Sequence, residues 1–273
     1  MSGSAGGAPS RSAGDPAPRS ATGASGAASY HGQQILKSPV WSWEIPTYFF
    51  VGGVAGASAT LAYAAELRGS EQLGRRAWLT ASGAIMVCPG LLISDLGRPA
   101  RFVNMLRMFK VTSPMSVGSW ILSVSGATTA LAGVHALTGR LAPGAAVARP
   151  IAAVSGLALS TYTAALLADT AVPAWHEARQ TLPFVFGAGA AASAAGAVTA
   201  LTPVRSAAPA RRLAIGAAGA ELLATQLMES RLGMHAETFH RGRARTLRWT
   251  SRACLSAGAT LLARAGARSR PAA

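Results

Sequence analysis

Charge is scarce in this chain. Only 13% of its 273 residues are Asp, Glu, Lys or Arg, and half are apolar; an ordinary soluble domain carries about a quarter charged residues. The deficit is concentrated. No charged residue occurs at 48–65, 77–93, 115–137, 151–168 or 182–201, and the run 213–228 holds a single one, Glu221. A helix needs about 17–25 residues to cross a hydrocarbon core of roughly 30 Å. Each run therefore reads as a membrane helix, tilted or extended by its flanks where it is short. The runs are rich in Ala and Gly, as expected when helices pack by close backbone approach. The expected fold is all-α, a polytopic integral membrane helical bundle of about six to seven transmembrane helices.

Cysteine and histidine are also sparse, and both absences exclude chemistry. The two cysteines, Cys88 and Cys254, show no C-x-x-C spacing, which argues against an iron–sulfur cluster held within this chain. A b-type haem needs two imidazoles facing each other from separate helices. Of the histidines only His135 lies in an apolar run, while His31, His176, His235 and His240 lie outside the six, so no haem is expected. No H-E-x-x-H pattern is present, and no metal site is expected. The net charge of +15 would suggest nucleic acid in a soluble protein. Here every Lys and Arg falls outside the apolar runs, so the positive charge belongs to membrane-flanking loops and no nucleic-acid partner is expected.

Residues 1–29 are nearly all Ala, Gly, Ser or Pro, a flexible tail with nothing to bury. They lack the apolar core of a signal peptide and a twin arginine, so no cleaved targeting sequence is expected. A transmembrane domain is expected over 30–265 and a basic tail over 266–273. Trp41-Ser42-Trp43-Glu44-Ile45-Pro46 reads as an interfacial anchor leading into the first helix. The connections at 66–76, 138–150 and 202–212 lie opposite the N-terminus. The tail and the loops 94–114, 169–183 and 229–252 lie on its side. A further apolar stretch, 253–263, is short and at best a marginal span. Lys and Arg slightly favour the N-terminal side, which puts that side in the cytoplasm; the expected location is the cell (plasma) membrane.

Nearly all the unusual polar residues gather on the N-terminal face: Trp43, Glu44, Asp95, Arg98 and Arg101, then Asp169, Trp175, His176 and Glu177. The opposite connections read as plain turns with ordinary flanking charges. The segment Asp95-Leu96-Gly97-Arg98-Pro99-Ala100-Arg101 is bounded by apolar runs. It either pairs Asp95 with Arg98 locally or presents arginines to an acidic partner. Tyr162 shares a helical face with Asp169 and sits roughly 10 Å deeper, at 1.5 Å per residue. A phenol at that depth either hydrogen-bonds a quinone carbonyl, with Asp169 or Glu44 linking it to water, or packs with its hydroxyl on a backbone carbonyl. Glu221 must face the bundle, on a proton route or in a hydrogen bond to a Ser or Thr.

In these residues the chain resembles the NrfD-type membrane subunits, the family of the polysulfide reductase membrane anchor. The resemblance rests on Trp41-Ser42-Trp43-Glu44-Ile45-Pro46-Thr47-Tyr48, Asp95-Leu96-Gly97-Arg98-Pro99, Ser113-Pro114-Met115-Ser116-Val117-Gly118-Ser119-Trp120 and Tyr162-Thr163-Ala164-Ala165-Leu166-Leu167, with Trp175-His176 beyond. It implies a membrane anchor and quinone-interacting subunit that passes electrons between a peripheral iron–sulfur, ferredoxin-like subunit and a quinone such as menaquinone. A molybdopterin-type catalytic subunit completes such a complex, and the iron–sulfur and molybdopterin groups lie in the partners. Carried over by motif, the resemblance points to Glu44 and Tyr48 near the quinone's entry and to Tyr162 at its carbonyl; Asp169 and Glu221 are the protonation groups expected from their own positions in the chain. Trp43, Asp95, Arg98, Arg101, Trp175, His176 and Glu177 then serve partner docking or pocket shaping. The family's fourth-helix motif usually has glycine after Tyr-Thr, where this chain has Ala164, and family members usually have eight or more helices. Trp175-His176-Glu177 resembles the actinobacterial branch associated with formate-dehydrogenase-like enzymes. Two other functions fit the composition: a membrane transporter or channel, and a non-redox scaffold that tethers an enzyme to the bilayer.

Overall fold

The computed structural model describes residues 41–96, 98 and 101–268. The expected tail at 1–29 and the start of the membrane domain at 30–40 lie outside the described residues, as do Gly97, Pro99 and Ala100. Among the described residues every regular element is helical. They are α1 (Glu44–Leu67), α2 (Glu71–Asp95), α3 (Arg101–Arg107), α4 (Pro114–Thr138), α5 (Ala142–Ala168), α6 (Pro173–Glu177), α7 (Leu182–Leu201), α8 (Ala208–Leu232) and α9 (Gly242–Arg268). Short 3₁₀ segments, Ala178–Gln180 and Gly233–His240, precede α7 and α9.

Five helices, α1, α2, α4, α5 and α7, are long and apolar enough to cross a membrane. They contain the first five apolar runs. The sixth run lies in α8, which is long enough but carries Arg211, Arg212, Glu221 and Glu229 and falls outside that set. The stretch 253–263, expected as an isolated marginal span, is instead part of the 27-residue α9, which starts at Gly242 in the expected loop. Its packed face recurs at Ala244, Arg248, Arg252, Leu255, Ala259 and Leu262, the three-and-four spacing of one helical stripe.

Helix ends follow local chemistry. Ser113 caps α4 by accepting from the Ser116 N–H at 3.4 Å, and Pro114 occupies the first turn, where its missing N–H has no cost. Gly139 ends α4 at φ 72° and donates to the His135 carbonyl; this left-handed position favours glycine. Gly69, at φ 71°, closes the tight turn from α1 to α2.

α1 packs on α2 and α5, α4 closes on α5 and α2, and α7 lies on α1 and α5. α8 runs back along α7, and α9 lies on α8. The core between these helices is made of small residues, with Ala59, Ala62, Ala77, Ala81, Ala132 and Ala152 around the fully buried Trp78. Small side chains let the helix axes approach, and the gain is van der Waals contact. At the closest crossing a Cβ on Gly156 would lie 2.5 Å from the Gly56 carbonyl oxygen. Beside it the Thr60 hydroxyl donates to the Ala153 carbonyl at 2.9 Å. Farther along, the Ser160 hydroxyl donates to the Gly156 and Gly53 carbonyls at 2.9 and 3.4 Å. These contacts step in opposite directions along the two chains, so α1 and α5 are antiparallel.

Candidate functional site

Following the α1–α5 crossing toward the start of α1 leads to Tyr48, and along α5 to Tyr162. Their hydroxyls are hydrogen-bonded to each other. Tyr48 is 1% exposed, with Cys88 of α2 in the same buried cluster. Tyr162 lies against Gly118 of α4, where an added Cβ would come within 2.7 Å of the ring Cζ and 2.9 Å of the hydroxyl. Glycine at that position therefore leaves the room the phenol ring occupies.

The two phenols form part of the wall of a mostly apolar cavity of about 90 Å³. Its walls come from the start of α1 (Ile45, Phe49), the end of α2 (Leu92, Asp95), the start of α4 (Met115, Ser119) and the end of α5 (Leu166). Phe102 and Met105 of α3 close it on one side. The segment expected as the loop 94–114 thus contains a short helix, and its apolar residues Phe102 and Met105 are wall. Trp41 completes the rim: it lines the cavity, stacks on Trp175 with ring centroids 6.0 Å apart and planes at 9°, and meets Phe49 edge-on.

The residues expected at this end divide into several groups. Tyr48, Tyr162 and Asp95 line the cavity, and Trp175 supports its rim. Glu44 does not line it. It sits one turn before Tyr48, and its Oε2 is buried with no hydrogen-bond partner among the described residues. Asp169 ends α5 and is exposed, away from the cavity wall. Trp43 and Arg98 are exposed, and no ion pair joins Arg98 to Asp95 among the described residues. The local pairing expected as one reading of that segment is therefore not formed: Asp95 turns to the cavity and Arg98 outward. His176 Nδ1 lies 3.2 Å from the Ala168 carbonyl oxygen, and Glu177 lies 3.9 Å from Arg179, both at the surface. The Arg101 side chain lies outside the described residues.

Glu221 makes no hydrogen bond to a Ser or Thr among the described residues. It lies over Gly189 of α7, where an added Cβ would meet its carboxyl at 3.2 Å. It lines a second cavity, of about 220 Å³, with Phe50, Ser160, Phe186 and Ser193. Phe49 borders both cavities.

Two charged arrangements escaped the sequence. The face opposite the tyrosines, expected to be plain, holds a charged cleft. In it Glu66 accepts from Trp78 Nε1–H at 2.9 Å and lies 3.6 Å from Arg149. On the tyrosine side, Glu229 of α8 accepts from Arg248 Nε and Nη2, both at 2.6 Å, and from Arg252 at 3.2 Å. Burial disfavours the Glu229 charge, but these hydrogen bonds and the two guanidinium charges, with His240 beside them, hold its carboxyl below the usual range. Both networks join residues far apart in sequence, and only the helix pairing reveals them.

The geometry is that of an apolar slot with a polar end at one face of a membrane bundle. The sequence model of the family described as Polysulphide reductase, NrfD, matches residues 30–216, which takes in all four long helices around the slot. No curated protein and no solved structure matches the chain. With more than half its length matched, the chain belongs to the NrfD polysulphide reductase family, integral-membrane subunits of oxidoreductase complexes.

Proposed function

We propose that this chain is the quinone-reactive membrane anchor of such a complex, seated in the cell membrane. It exchanges electrons between a peripheral iron–sulfur subunit and a quinone of the menaquinone type. The observation that carries the reading is the hydrogen-bonded pair Tyr48–Tyr162 in the wall of an apolar cavity. A quinone ring is flat and apolar with a carbonyl at each end, and Ile45, Leu92 and Leu166 suit its faces. One phenol hydroxyl donates to the carbonyl while the other holds it in place, so the pair orients the substrate and offers a proton at the oxygen that gains charge.

Reducing a quinone to a quinol takes two electrons and two protons. The electrons come from cofactors in the partner subunits, which supply the redox chemistry. The chain supplies proton transfer and exclusion of water. Glu44, one turn from Tyr48, is the link from the phenols toward the aqueous face, and Asp95 is the carboxylate at the cavity itself. Glu221 lies behind Phe49 and serves as a second proton donor. Trp43, Arg98, Arg101, His176 and Glu177 form the docking face for the iron–sulfur subunit, behind which a molybdopterin-type catalytic subunit sits.

The transporter reading is less well supported, because the openings at the two ends are separated by the packed alanine core around Trp78. Tyr162→Phe tests the proposal: quinone turnover falls at least tenfold while the complex still assembles. Unchanged turnover overturns the assignment of Tyr162 to the quinone and makes the tyrosine a packing residue.

A further inference from the structure

The end of the bundle remote from the tyrosines carries an open cleft of about 460 Å³, lined by Glu66, Glu71, Arg75, His135 and Arg149. These residues come from the end of α1, the start of α2, the end of α4 and the first turns of α5. In a membrane bundle such positions lie at the depth of the lipid headgroups. Leu67, Leu137 and Leu141, beside these residues in the chain, are all exposed, so lipid chains can reach its edge.

Charge pairing within the cleft is incomplete. Glu66 is matched by Trp78 and Arg149. Arg75 donates its Nε–H to the Ala136 carbonyl at 2.9 Å, and the two terminal nitrogens of its guanidinium have no protein acceptor among the described residues. Glu71 has no protein partner there either. His135 Nδ1 lies 2.8 Å from the Arg140 carbonyl oxygen. A carbonyl only accepts, so Nδ1 carries the proton, and Nε2 of the neutral ring is an acceptor. The unmatched groups are thus a guanidinium, a carboxylate and an imidazole acceptor in one recess.

We propose that this cleft binds a phospholipid whose headgroup carries both a phosphate and a primary ammonium, as phosphatidylethanolamine does. Arg75 takes the phosphate through its free N–H groups, supported by the Arg149 charge. The ammonium donates to Glu71 and to His135 Nε2. A choline headgroup has the same charges but no N–H to give, and a glycerol headgroup has no cation, so the site discriminates against both. The proposal rests on the cleft alone and is independent of the quinone reading.

Native mass spectrometry on the full-length protein, in mild detergent with an equimolar mixture of ethanolamine, choline and glycerol phospholipids of identical chains, tests it. The ethanolamine lipid is retained at least tenfold over each of the others. Glu71→Gln removes its preference over choline while total lipid retention persists, and Arg75→Gln weakens retention of both. Both residues are exposed, and an unchanged melting midpoint confirms that the variants fold. Displacement of the lipid by excess phosphoethanolamine, which has the headgroup without chains, supports recognition of both charges. Displacement by inorganic phosphate alone overturns it, as does equal retention of the three lipids, retention of the glycerol lipid first, or an unaltered preference in Glu71→Gln.

Discussion

Gly156 of α5 lies so near Gly56 of α1 that a Cβ on it would fall 2.5 Å from the Gly56 carbonyl oxygen. The crossing sets the depth of everything beyond it. Tyr48 and Tyr162 lie eight and six residues from it in chains that run in opposite directions, so both phenols arrive at the same end. Gly156→Val wedges the two backbones apart. Overpacking of this kind costs about 1–3 kcal/mol, seen as a lower thermal midpoint in detergent. Quinone turnover falls with it, because the tyrosine hydroxyls separate.

Gly118→Ala tests the cavity at the ring of Tyr162 itself. The new methyl would stand 2.7 Å from Tyr162 Cζ, so the ring must move and its hydroxyl shifts relative to Tyr48. We expect at least a tenfold loss of quinone turnover, with the complex still assembled and a melting midpoint lowered as overpacking requires. Normal turnover in a folded variant means that the position of Tyr162 does not matter to the reaction.

Much of this was legible in the sequence because hydropathy and turn chemistry are local properties. The charge-free runs became helices, and Ser113-Pro114 and Gly139 bound α4 as their chemistry requires. Tyr48, Asp95 and Tyr162 lie in motifs recognisable before the fold was known. The rest depends on register between helices. Glu66 reads as an ordinary loop charge until α5 brings Arg149 to it and α2 brings Trp78. The apolar residues of α3 looked like loop because seven residues are too few for a periodic signal, yet Phe102 and Met105 close the cavity. Glu229 sits one residue past the sixth apolar run, and its partners lie across the turn in α9.

The Glu229 network fixes α9 to α8. Glu229→Gln removes the charge that holds Arg248 and Arg252 and leaves two partly buried guanidiniums unmatched, a change that costs roughly 3–5 kcal/mol when the pair is well buried. α9 then opens locally. Limited trypsin digestion should cut at Arg243 and Arg245 several-fold faster than in wild type, with α1–α7 still protected. Equal cutting rates mean that apolar contact through Leu255 and Ala259 suffices.

The same network has a pH dependence of definite sign. The folded chain holds the Glu229 carboxyl below its ordinary value, near 4.3 for a free glutamate. Its stabilisation is therefore complete above that value and is lost only as pH falls through the lower, folded value. Trypsin is inactive in acid, so hydrogen exchange in α9 is the readout. After correction for the intrinsic rate, protection holds from about pH 7 down to the value of a free glutamate and drops only below it. Glu229→Gln shows no such drop.

The central claim is tested most directly by isolating the tagged protein from its native membrane in mild detergent and assaying what accompanies it. The account predicts an iron–sulfur subunit together with extractable quinone in a fixed ratio to the chain, and loss of the quinone alone in Tyr162→Phe. An iron–sulfur subunit without quinone would contradict the quinone site and leave a scaffold. An intact preparation with neither would contradict the account as a whole.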